Sequence, residues 1–326
     1  MVAIRHTEHT IVPGRRLGRR PRDVARPLLR LGDYLTGRLP EHPPAVDYFT
    51  RIPTWCMGRN TEFGTCGPTS FANLVLLVST WLGDYPIMPT DDDILDLYRR
   101  SGNPDFDPDT GLGDNGVDMT VMLAECVKHG IGRGADGRPL AQPLAFASVN
   151  GSNPDEVWAA AALFGATLWG ADLTQAQAEQ QVWDTVPGDP EWGGHAILAA
   201  GRYTDQTGTL ADRTGLVSWA DPTFDATDAF ITQQVPERYV VIFDWHLRSR
   251  TFLNGVNLTT LAADYTALTG RPFPAAPTPT PSPAPGPNPD QELMTVLDGW
   301  ERAWPKSTKP KNAYRLWRTN KGYTTR

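Results

Sequence analysis

Residues 60–83 read NTEFGTCGPTSFANLVLLVSTWLG, and the fold turns on how this stretch is read. From Gly67 to Gly83 it predicts one helix. Pro68 suits a first turn, where its missing N–H costs nothing. Gly83 suits the stop. The stretch is apolar nearly all round, so the helix is expected to be buried on most sides. Cys66 stands immediately before it. A helix N-terminus presents unpaired N–H groups and a partial positive charge, and both favour a thiolate, the nucleophilic form of cysteine. A free cysteine is otherwise a small buried hydrophobe.

The second informative stretch is Glu191-Trp192-Gly193-Gly194-His195-Ala196-Ile197-Leu198-Ala199-Ala200-Gly201, which places His195 129 residues after Cys66. The apolar run predicts a core strand with His195 at its head. The two glycines permit close approach of a substrate or another backbone. A lone histidine in such a place is usually a satisfied core residue; paired with a cysteine at a helix start it becomes a candidate base.

Around these two stretches the chain orders itself. Further helices are expected at 91–100, opened by Thr90 and three aspartates, at 116–129, and at 154–164, capped by Asn153 or Asp155. Short β-prone runs follow at 166–170, 195–201, 214–220 and 238–243. Helices first and strands after give an α+β fold rather than alternating βαβ units. Residues 1–40 form a basic extended arm, lying across the body or acting as a pro-segment, and 41–271 form the globular domain. Nine prolines between 272 and 289 make a stiff linker. Residues 291–326 offer a short amphipathic helix and a basic tail, too short to be stable without a partner.

Composition narrows the function classes. The chain has 326 residues, 40% hydrophobic, which is ample for a core. It has no 18-residue apolar run, so no transmembrane helix is expected. No signal peptide is read at the basic N-terminus, and a cytoplasmic or virion-associated setting is expected. Three widely spaced cysteines, Cys56, Cys66 and Cys126, argue against a disulfide framework or a zinc site. The acidic run 103–111 fails the calcium-loop pattern, and no phosphate loop or dinucleotide fingerprint occurs, so no cofactor or metal is implied. The net charge of −7 is polarised. Residues 1–30 carry eight Arg against Glu8 and Asp23, and residues 306–326 carry seven Lys or Arg and no acid. These basic ends suit nucleic acid, an acidic protein partner or the body of the chain itself.

The two stretches together resemble the papain-like cysteine peptidases. Gly64-Thr65-Cys66-Gly67 is similar to the family's Gly-x-Cys-Gly before a central helix. Gly193-Gly194-His195-Ala196, continuing to Ala200-Gly201-Arg202-Tyr203, is similar to its histidine strand. Val46-Asp47-Tyr48 resembles its mature start, and the likeness runs in order over roughly 40–245. It implies a two-lobed fold, with a helical lobe centred on the helix after Cys66 and an antiparallel β lobe. It also implies peptide-bond hydrolysis by a Cys66 thiolate and His195 imidazolium pair on a polypeptide substrate.

By the same resemblance Asn60, six residues before the nucleophile, becomes the oxyanion donor, although as a residue it also fits a turn. Val217-Ser218-Trp219-Ala220 stands where the family has Asn-Ser-Trp-Gly. Trp219 would then shield the site. Val217 cannot hydrogen-bond through its side chain, which leaves Asp221 or a backbone carbonyl to orient His195. That departure keeps open a papain-like structural protein of an assembly such as a phage virion; a cysteine amidase acting on cell-wall peptides is a further alternative, although such amidases usually place Cys and His much closer than 129 residues.

Overall fold

The computed structural model describes residues 15–37, 45–49, 51–203 and 213–273. The proline-rich stretch beyond 273 and the C-terminal helix expected at 291–326 lie outside the described residues. Seven helices occur among those described: α1 (Cys66–Leu82), α2 (Asp91–Arg100), α3 (Met119–His129), α4 (Pro154–Phe164), α5 (Asp228–Gln234), α6 (Arg250–Gly255) and α7 (Leu258–Thr269). The strands are β1 (Arg19–Arg20), β2 (Leu29–Arg30), β3 (Ala45–Asp47), β4 (Val117–Asp118), β5 (Ala145–Ser148), β6 (Thr167–Thr174), β7 (Val182–Trp183), β8 (Glu191–Tyr203), β9 (Arg213–Ser218), β10 (Asp221–Thr227) and β11 (Glu237–Ile242).

Nine strands form one sheet in the order β2-β5-β11-β6-β8-β9-β10-β7, with β3 also pairing β8. The central pairs are antiparallel, while β2 runs parallel to β5 and β7 parallel to β10. The β8 strand organises both cores through its period-two alternation. Ala196, Leu198 and Ala200 join α1 residues such as Phe71, Leu74 and Val78 in one apolar cluster. Ile197 and Ala199 face the other way, into a tryptophan-rich cluster with Trp169, Trp183, Trp192 and Trp219.

The α1 helix is buried from Cys66 through Ser79, as an all-round apolar sequence requires. Ser70 Oγ donates to Ala196 O at 3.0 Å and so fixes the helix start against β8. The α2 helix opens with a capping box, in which Thr90 Oγ1 accepts from Asp93 N and an Asp93 carboxylate oxygen accepts from Thr90 N.

Of the expected boundaries that move, two have a local cause. The helix expected from 116 begins at Met119, because Asp118 caps it through Thr120 N at 2.7 Å and Val117–Asp118 is used as a strand. The strand expected over 214–220 stops at Ser218, because Trp219 and Ala220 take left-handed φ of 49° and 59° and turn the chain back into β10.

Candidate active site

Cys66 and His195 are brought together by α1 packing on β8. The Ala196 N–H, one residue beyond His195, donates to Cys66 Sγ at 3.4 Å. Cys66 is 1% exposed and His195 1% exposed. His195 Nε2 lies 2.9 Å from Ser218 Oγ. His195 Nδ1 is buried without a hydrogen-bond partner among the described residues. Trp219 stacks on the imidazole, with ring centres 4.3 Å apart and planes 19° from parallel.

Asp221 does not orient His195. Its carboxylate accepts from Thr223 N at 2.9 Å and Thr223 Oγ1 at 2.6 Å, away from the imidazole. The turn at Trp219-Ala220 sends Asp221 onto the next strand, where it pairs with Ser218. Ser218 is the residue that meets the imidazole instead, and strand alternation explains why. On β9, Val217 stands opposite Leu198 and points into the α1 cluster, while Leu216 opposite Ala199 points into the tryptophan cluster. The next residue with the facing of Leu216 is Ser218, on the His195 side of the sheet. The signal was in the sequence, as a serine adjacent to the matched tryptophan.

Asn60 Nδ2 donates to Phe63 O at 2.9 Å and to Arg16 O at 3.2 Å. The first bond is the turn role. The second reaches a carbonyl of the arm, which also accepts Trp219 Nε1 at 3.2 Å.

That arm crosses the site. Arg16 N donates to Asn60 O at 3.1 Å, Gly18 N to Gly194 O at 3.1 Å, and Val117 N to Gly18 O at 2.7 Å. The arm then pairs in parallel with β4 through Arg19 and Arg20. It threads a slot walled by glycines. A Cβ on Gly18 would lie 2.1 Å from Gly64 O, one on Gly116 would lie 2.2 Å from Gly18 O, and one on Gly194 would lie 2.2 Å from Arg19 O. Arg15 lies over the Trp219 ring at 5.0 Å, and the Arg19 guanidinium pairs with Asp172 and Glu237. Of the three partners open to the basic arm, residues 15–20 engage the body itself.

Burial dominates the ionisation of the pair, and the arm contributes the Arg15 and Arg19 charges. Burial pushes the Cys66 thiol up to about 11, outweighing the N–H groups of Ala196, Gly67 and Gly18 and the Arg19 charge that pull it down. Burial, with Arg15 and Arg19 nearby, pushes His195 down to about 3. With the arm in place the pair is therefore a neutral thiol and a neutral imidazole. The ion pair expected from the helix N-terminus is absent in this state because desolvation exceeds the dipole's pull.

The other candidates play structural parts. Burial raises Cys126, and burial with the Asp91 charge raises Cys56. His246 is a core residue, with Nδ1 accepting from Phe243 N and Nε2 against Phe164 O. No cluster of metal-ligating side chains occurs among the described residues. No helix among them is long and apolar enough to cross a membrane.

No family model matches the chain, and no curated protein sequence matches it. Solved structures do. Xylellain, a cysteine protease from Xylella fastidiosa, superposes with a TM-score of 0.52 at 15% identity, over 72% of this chain and 99% of that one. Procathepsin L 3 from the larval midgut of Tenebrio molitor gives 0.47 at 12% identity, over 71% and 76%. The chain has a papain-like α+β fold, as the xylellain superposition and the order of its elements define it.

Proposed function

We propose that the protein is a cysteine peptidase whose basic arm is a pro-segment seated in the substrate cleft. The observation that carries this is the placement of Cys66 at the α1 N-terminus beside a histidine tied through Nε2 to Ser218. Once the arm leaves, water and substrate reach the pair, and Nδ1 takes the Cys66 proton. The thiolate adds to a peptide carbonyl, with Asn60 Nδ2 and the Cys66 N–H as donors to the oxyanion. The C–N bond then breaks, and His195 passes its proton to the departing amine. Water, deprotonated by His195, adds to the thioester carbonyl. The C–S bond breaks, releasing the acid and restoring the thiol. The polypeptide-like occupancy of the cleft by residues 15–20 supports a polypeptide substrate.

The test uses the full chain with Gly18→Val, which cannot hold the arm in the slot. Incubated with a mixed peptide library and read by mass spectrometry, it is expected to cut peptides, and the same chain with Cys66→Ala is expected to cut none. A folded Gly18→Val chain that cuts nothing would remove the peptidase reading.

Ser218 is a positioning residue, acting through His195. A neutral hydrogen bond contributes about 0.5–1.5 kcal/mol, so Ser218→Ala in the Gly18→Val chain is expected to lower kcat by about 3- to 10-fold with KM little changed. Ser218→Thr should restore most of the loss. An equal loss in both variants, or a change confined to KM, would assign the hydroxyl to packing.

A further inference from the structure

Arg19 is the buried side chain among residues 15–20, and its site is built around a cation. The guanidinium pairs through Nη1 with Glu237 and through Nη2 with Asp172. The Glu237 side chain is 4% exposed and the Arg19 side chain 2%. Glu237 keeps one other partner, Tyr239 OH, which donates to Oε2 at 2.9 Å. Room for the arginine stem comes from Gly170, where a Cβ would lie 2.6 Å from Arg19 Cδ, and Met119 closes the wall beside it. The pocket also lies at the candidate catalytic pair. Arg19 follows Gly18, whose N–H and whose neighbour's charge both bear on the Cys66 sulfur.

We propose that the Asp172–Glu237 pocket is a subsite for a basic side chain, so that the substrates are polypeptides carrying Arg, or Lys, within a residue or two of the bond attacked. This rests on the peptidase reading for its consequence, but the pocket's own selectivity is a separate matter. When the arm leaves, Glu237 and Asp172 lose their guanidinium partner. An apolar side chain entering would leave them unpaired, whereas a guanidinium replaces Arg19. Arg suits the pocket better than Lys, because two carboxylates on separate strands match two nitrogens of one planar fork. Arg19 is then a resident mimic of the substrate, and its tether gives it an effective concentration that a free peptide must exceed. For that reason the arm must be loosened before selectivity can be read.

Binding and cleavage are measured separately. The full chain with Cys66→Ala and Gly18→Val is titrated by fluorescence anisotropy with a labelled peptide of the sequence of residues 17–21, and with the same peptide carrying norleucine in place of its first arginine. At least about 10-fold tighter binding of the arginine peptide is expected, with the advantage lost in Glu237→Gln and reduced in Asp172→Asn. The half-exposed Asp172 gives the variant that keeps the test valid if Glu237→Gln fails to fold. Equal binding of the two peptides would overturn the pocket. In the Gly18→Val chain with Cys66 intact, cuts clustered near basic residues support the pocket. Cuts without that preference overturn it and leave the peptidase reading standing. Selective binding with no cuts keeps the pocket and removes the peptidase reading.

Discussion

In Gly18→Val, Cys66 is expected to react with iodoacetamide at least about 100-fold faster at neutral pH than in the unaltered chain. The reason is steric first and electrostatic second. A side chain at Gly18 meets backbone atoms, with Gly64 O at 2.1 Å and Gly64 C and Cα at 2.4 Å, so no rotamer relieves the clash. The arm must lift. Lifting it is expected to admit water to Cys66 and so to relieve the burial that is the largest influence on its raised value. A thiol at about 11 is nearly all protonated at neutral pH, whereas one near its free value of about 8.5 is a few per cent ionised. That difference alone exceeds 100-fold, before any gain in access. The core clusters lie mostly outside the arm, which adds Leu17 at the edge of the tryptophan cluster and Leu28 at the edge of the α1 cluster, so the variant should keep its circular dichroism spectrum. Unchanged labelling in a chain shown by proteolysis to have released its arm would mean that Cys66 is buried by the body itself.

How much of this was legible from the sequence depends on whether the determining contacts are local. Helices α2 and α4 lie where expected, over 91–100 and 154–164, because their caps and periodicity sit within the elements themselves. The α1 helix was legible for the same reason, and the glycines before His195 do admit a backbone, that of the arm. Helix α7 was missed although Asn257 caps it and Leu261 and Tyr265 fall on one buried face; its many threonines blurred the pattern. The contact of Ser218 with His195 was passed over because matching by sequence position put Val217 opposite the expected asparagine. Which side of a sheet a residue faces depends on register with β8, and register is a property of two distant segments. The arm's path was unreadable for the same reason. Nothing local in residues 15–20 names Gly64, Gly116, Gly194 or Glu237 as partners. Burial, which the helix N-terminus alone does not reveal, holds both groups neutral in the arm-seated state, so the ion pair expected there is not found in it.

The second large effect concerns His195 in the loosened chain. Its depressed value comes first from burial and then from Arg15 and Arg19; both arginines belong to the seated arm, and the burial is expected to lessen when it leaves. The sign follows from linkage. The seated state holds His195 neutral down to about pH 3, while the open state protonates it near the ordinary value of about 6.5. Between these values the open state binds the extra proton, so acidification through this window favours opening; above it, His195 gives no preference. Labelling of Cys66 in the unaltered chain should therefore gain an open fraction as the pH falls from about 6.5 toward 4, against the trend of an ordinary thiol. Replacing His195 with Ala should abolish that gain. In the Gly18→Val chain His195→Ala should also return thiol ionisation to about 8.5, a loss of about 100-fold or more in labelling near pH 6. Peptide turnover should fall by about 10⁴-fold or more, since base and nucleophile act as one unit. Labelling that follows a simple thiol curve with and without His195 would show that the two side chains are neighbours without being a catalytic pair.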